Sequence, residues 1–418
     1  MKAGALSGHV LSPLANGGVF ADSDGLLVWD DRGMLVEPLE GPSAQRLAPD
    51  WLLIPGLIDA HVHLPQMRVR GRFQEALLPW LRQHIWPEEE RFSERAYRAA
   101  VTAEFRAGLL TAGTTAALVY GAPGADSVHA VLQDLEPVWV RGGDVLMDRN
   151  GPESLLRDSG QALEDCREHL ARYGTRYAIT PRFAPTCGDE LLAGCGRLMD
   201  ESSATLQTHL AENVDELEWV AELFPSARSY TDVYRHFGLL GPRSVFGHCI
   251  HLDDLDIKAL GETGSWIAHC PSSNVALGSG RMPLERILAG GLRFALATDV
   301  GAGPDLSMLD VMRLFLAVHR GHVELSPMDA LRAATLFGAQ ALGQGAQRGA
   351  LCPGRRADMV AVRIPGGLGR GESLISALGR VLQEFSGRYE EAVAAVWIGG
   401  RQWVAEGAIL ASVPAGAE

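Results

Sequence analysis

The feature that most constrains the fold is an alternation. Eight short β-prone segments, at 57–63, 115–120, 143–147, 177–183, 205–210, 244–248, 266–269 and 294–299, are separated by amphipathic stretches such as 93–109 and 215–224. Strands that alternate with helices in this way predict an α/β fold, a closed parallel (β/α)8 TIM-like barrel. The structural alternative is a doubly wound open sheet, but no G-x-G-x-x-G follows the first strand. Both chain ends instead read as β: 25–30 and 34–37 around Arg32-Gly33, then 357–364, 392–398 and 402–405 after Gly399-Gly400. Chain termini often lie close together, so the ends are expected to join in one small composite β-sandwich domain. The expected boundaries are 1–54 and 351–418 for that domain, and 55–350 for the barrel.

Composition narrows the function. At 418 residues with 47% hydrophobic residues, the chain can bury a large core. A net charge of -14 argues against nucleic acid as a partner, because that surface needs a basic face. No apolar run approaches a membrane span, and no secretory signal follows Lys2, so no membrane partner is expected. The six cysteines are widely spread and never paired as C-x-x-C, which suits a reducing, cytoplasmic setting. Lysine occurs only as Lys2 and Lys258.

The chemistry gathers at strand ends. His61 and His63 are two apart on the first strand, so both imidazoles face the barrel mouth, where barrel enzymes keep their sites. Alone, such a pair could be two polar groups in water. Here His209, His248 and Asp299 also end predicted strands. Three imidazoles and one carboxylate suffice for a mononuclear metal with one position left for water, whose pKa the metal lowers to about 7. Glu212, three residues after His209, would enter the same cavity and could pass protons, although a carboxylate there also suits a helix N-terminus.

The run from Pro55 through Asp59 to His61-Val62-His63 resembles the opening signature of the amidohydrolase superfamily, and 349–360 resembles its return strand. Within it, 180–186, 208–216 and 230–248, with Gln66 and 78–92, are similar to the guanine deaminase family. The resemblance implies hydrolysis of guanine to xanthine and ammonia. It implies one zinc ion per subunit on His61, His63, His209 and Asp299, with iron accepted by the same ligands. Glu212 and Asp299 would carry protons as catalytic residues, and His248 would bond the attacking hydroxide or the substrate more than the metal. Gln66, Arg182 and Phe183 would line the purine pocket beside His209, Glu212 and Asp299. For these three, the residue types alone suggest only a solvated Gln, an Arg paired to an acid and a core Phe. The segment 66–92 would cover the substrate, and a homodimer is implied.

Two exclusions follow from residues that are missing. A dinuclear centre bridged by carboxylated lysine needs a Lys at the end of the fourth strand, where Arg182-Phe183 stands. The small zinc deaminases need P-C-x-x-C, and no C-x-x-C occurs. The alternatives kept are deamination of another aminated ring, such as 8-oxoguanine, a pterin or a triazine, and a silent amidohydrolase-fold scaffold.

Overall fold

The computed structural model describes residues 2–38, 43–73 and 77–410. The outer limits of the two terminal segments, and residues 74–76 of the expected covering segment, fall outside them.

Eight parallel strands stand side by side in chain order: Leu57–His63, Thr114–Gly121, Trp139–Leu146, Ala178–Pro181, Thr205–Leu210, Ser244–His248, Trp266–His269 and Arg293–Leu296. Every residue of the first and second strands is buried. That is the mark of parallel strands covered on both faces. Helices such as Arg95–Thr111, Ser159–Tyr173 and Met308–Val318 pack outside and complete the barrel.

Three strands differ from their predicted limits by more than one residue at an end. The third starts at Trp139 rather than 143, because Gly142 and the residues before it also join the ladder. A Cβ on Gly142 would sit 2.2 Å from the Val119 carbonyl oxygen, and one on Gly143 2.1 Å from that of Ala178. Only glycine lets the neighbouring backbones approach so closely. The fourth strand ends at Pro181 and the eighth at Leu296, so Arg182, Phe183 and Asp299 lie on the turns beyond.

The barrel closes between its first and last strands at the site itself. Asp299 N–H donates to the His61 carbonyl (2.9 Å), and His63 N–H donates to that of Val300 (2.8 Å). The buried Asp59 carboxylate ties the same seam. It accepts the N–H of His61 (3.2 Å), the N–H of Thr298 (3.1 Å) and the Thr298 hydroxyl. Burial pushes its pKa up to about 7 against those hydrogen bonds.

Both chain ends join in one mixed sheet of nine strands. Its order is Ala408–Ile409, Arg401–Ala405, Val393–Ile398, Met359–Arg363, Trp51–Pro55, Gly4–Pro13, Val19–Trp29 and Leu35–Val36, with Gln45–Arg46 beside Gly4–Pro13. It has its own apolar cluster around Val10, Trp29, Leu53, Met359 and Trp397. Trp51–Pro55, a central strand of this sheet, runs through Gly56 into the first barrel strand, so the two units share a continuous backbone.

Asp59→Ala strips the partners from two buried N–H groups and one hydroxyl. At about 1–3 kcal/mol for each unmet buried group, we expect a destabilisation of about 3 kcal/mol and a lower thermal midpoint. An unchanged midpoint contradicts the seam assignment.

Candidate metal centre and active site

Strand ends deliver the donors. His61 Nε2 and His63 Nε2 lie 3.1 Å apart, and each is 3.3 Å from Asp299 Oδ1. His209 completes a group whose ligand atoms all lie within 4.8 Å of one another. The His209 Nδ1–H donates to the Arg182 carbonyl (2.7 Å), which leaves its Nε2 lone pair free to coordinate. A tetrahedral shell with bonds of about 2.0–2.1 Å has edges of about 3.3–3.4 Å. The three short separations match such edges, so these four residues fit one divalent cation.

Electrostatics favours the same state. Burial pushes His61 down to about 4 and lowers His63, outweighing the pull of Asp299. Burial, with the neighbouring imidazoles, takes His209 well below its ordinary value. Neutral imidazoles are what ligation requires. Burial alone would raise Asp299, but the His61 and His63 imidazoles against its Oδ1 hold it well below the carboxylate range. Its other oxygen, Oδ2, accepts the Ser273 hydroxyl at 2.6 Å.

The sequence-predicted residues not in the donor group surround it. His248 Nε2 lies between two carboxylates, 3.4 Å from Glu212 Oε2 and 3.7 Å from Asp299 Oδ2, while its Nδ1–H donates to Asn274 Oδ1 (3.0 Å). Burial lowers its pKa, but Glu212 and Asp299 outweigh that and the net shift is upward. Burial raises Glu212 to about 7, against the charge of His248. Two buried carboxylates in one cavity are thus driven apart, one kept ionised and one able to hold a proton near neutrality.

Local backbone aims these groups. Ala211, His248, Cys249 and Asp299 take φ of 53°, 69°, 53° and 53°. Non-glycine residues in that region cost of order 1–3 kcal/mol each and gather where function demands them. Glu216 accepts the N–H of Glu212 at 2.9 Å and forms a capping box with Asn213, fixing the start of helix Val214–Leu223 directly behind Glu212.

Gln66, Arg182 and Phe183 line the same cavity as His63, His209, Glu212, His248 and Asp299. Phe183 packs edge-on to Trp219 with ring centroids 6.0 Å apart. Trp80 and Leu81 close the outer wall, within the segment expected to cover the substrate. His251 and His269 stay outside the donor group. His251 faces the Ser279 carbonyl (3.0 Å) and His269 faces His319 (3.0 Å). Lys258 is a surface residue paired with Glu262, consistent with no lysine bridge.

Sequence reasoning missed four contributors. Asp59 sits inside the opening segment quoted above, Ser273 and Asn274 lie just beyond the seventh strand, and nothing in their type announces them. Glu89 lies in the acidic run of 88–90, which reads as a solvated face. Its spacing from Ile85 and Trp86 was the available signal, since i, i+3 and i+4 share one helix face.

The chain belongs to the amidohydrolase family, whose model matches residues 52–402. A curated relative, guanine deaminase of Escherichia coli K12, is 39% identical over 74% of this chain and 72% of that protein. A probable guanine deaminase of Deinococcus radiodurans is 37% identical over 84% and 83%. The solved structure of guanine deaminase from C. acetobutylicum, with guanine bound in its active site, matches at TM-score 0.88 and 26% identity, over 96% of this chain and all of that one.

We expect His61→Ala and Asp299→Ala to lower bound metal from about one per chain to about a tenth or less, measured by elemental analysis after chelator-free purification. Glu212→Gln keeps the metal. Full occupancy in either of the first two variants contradicts the ligand set.

Proposed function

We propose that this chain is a metal-dependent aminohydrolase that converts guanine and water to xanthine and ammonia. The observation that carries the reading is one cavity holding convergent donors and a proton-holding Glu212, lined also by Gln66, Arg182 and Phe183. The guanine deaminases among its relatives support the choice of substrate.

The resident metal is proposed to be one zinc per subunit, the ion that three imidazoles and a carboxylate suit first; iron accepts the same donors. When bound, it lowers the pKa of water and polarises the carbon under attack. Asp299 Oδ2, ionised and held by Ser273, takes the proton of the attacking water. Glu212 gives its proton to the ring nitrogen beside that carbon, so charge does not build up on the base. His248, between the two carboxylates, donates to the attacking oxygen and keeps both in register. Asp299 then delivers its proton to the departing amine, because ammonia leaves poorly unless protonated, and as the C–N bond breaks the proton left on the attacking oxygen passes to Glu212 and restores it. Phe183 stacks on the base, while Gln66 and Arg182 meet its polar edge.

In this reading 55–350 is the catalytic unit, and the terminal segments to 54 and from 351 form its companion. A homodimer is proposed from the prevalence of symmetric pairs. A cytoplasmic setting is supported by six free cysteines, five of them buried, and by the lack, among the described residues, of a helix long and apolar enough to cross a membrane.

Glu212→Gln should keep its metal and lose about 10²- to 10⁴-fold in kcat, the range for a general acid. Arg182→Ala should lose about 10²-fold in kcat/KM on guanine with metal unchanged. Unchanged guanine kinetics in Arg182→Ala overturns the pocket assignment.

A further inference from the structure

Arg182 and Gln66 are held by one side chain that touches neither the donors nor the proton carriers. Arg182 Nη1 donates to both carboxylate oxygens of Glu89, at 2.8 Å and 2.6 Å. Gln66 Nε2 donates to Glu89 Oε1 at 3.0 Å, while Gln66 Oε1 accepts the Gly301 N–H at 3.2 Å. All three side chains are buried, with relative exposures of 2% for Glu89, 2% for Gln66 and 3% for Arg182. A buried guanidinium needs a charge partner, and here it has one. Glu89 belongs to the short helix Trp86–Arg91, which buries only Trp86 and Glu89. The residues just before that helix supply Trp80 and Leu81 to the cavity wall.

The consequence for recognition is geometric and electrostatic. With one amide hydrogen on Glu89 and one lone pair on the Gly301 N–H, the Gln66 carboxamide cannot flip. Its remaining N–H and lone pair therefore present a fixed donor and acceptor. The pinned Nη1 fixes the plane of the Arg182 fork. The carboxylate also cancels the guanidinium charge, so the recognition wall is neutral overall. Such a wall suits a neutral planar ring better than an anion.

We propose that Glu89 is a positioning residue for the base, orienting Gln66 and Arg182 and neutralising the pocket so that it selects neutral over anionic purines. This rests on the reading of Gln66 and Arg182 as purine contacts. It acts through those two side chains, so its loss should appear in KM and selectivity rather than in the proton-transfer groups.

The test compares Glu89→Gln, Glu89→Asp, Arg182→Ala and the double variant Glu89→Gln/Arg182→Ala, all as metal-analysed full chains. Readouts are kcat and KM on guanine and inhibition by urate, an anionic planar purine. We expect Glu89→Gln to raise KM for guanine about tenfold or more, the value of a charge-assisted hydrogen bond, with metal content unchanged and urate inhibition tightened. Glu89→Asp should recover part of the KM, since it restores the charge. In the Arg182→Ala background, Glu89→Gln should change KM by a smaller factor than in the parent. Equal factors in both backgrounds, a parental KM in Glu89→Gln, or metal loss in that variant overturns the proposal. If Glu89→Gln does not fold, Glu89→Asp decides. A KM raised about threefold, with urate inhibition near the parental value because the charge is kept, supports the assignment, and a parental KM overturns it. A crippled Arg182→Ala beside an unaffected Glu89→Gln leaves the substrate reading intact. Parental guanine kinetics in both variants removes the reading of Arg182 as a purine contact instead.

Discussion

Three lone-pair donors crowd within 3.3 Å of one another where the first and last barrel strands meet, and the surrounding structure is arranged to keep them there. Neutral imidazole nitrogens at 3.1 Å from each other repel unless a proton or cation lies between them. The protein removes the proton option by burying the rings, which drives their basicity down. The seam that holds the geometry is made by backbone bonds from His63 and Asp299 and by Asp59 behind them. Barrel closure and donor convergence are therefore one structural event.

The second dependence is electrostatic. Glu212 and Asp299 share a cavity, and His248 stands between them. Burial dominates at Glu212 and raises it to about 7, while the donor imidazoles dominate at Asp299 and keep it ionised. One fold thus provides an acid and a base at neutral pH from two carboxylates, the pattern by which environment assigns roles. At Arg182 the charge logic is reversed, since Glu89 cancels the guanidinium. In the proposed reading, shape and hydrogen bonding are then left to discriminate the ring.

Much of this was legible in the chain itself. Alternating segments marked all eight barrel strands, and H-x-H at the first strand end fixed the direction of two imidazoles by the two-residue period of a strand. His209 and His248 followed at the ends of the fifth and sixth strands. What escaped was non-local. The third strand's start at Trp139 rather than 143 was not marked, because Gly142 belongs to the ladder through a close approach to the Val119 carbonyl, a neighbour distant in sequence. Asp299 sits three residues past its strand on a left-handed backbone rather than on the strand itself. Glu89 was hidden between Glu88 and Glu90, and only burial separates it from them.

The most direct test of the account is ammonia release by purified, metal-analysed protein from guanine, adenine, cytosine, 8-oxoguanine and a pterin. Rapid release from guanine, with little from the other rings, is the predicted result. Metal-loaded protein that releases ammonia from another ring and not from guanine would contradict the assignment of the pocket. Metal-loaded protein silent on every ring would contradict the aminohydrolase reading itself.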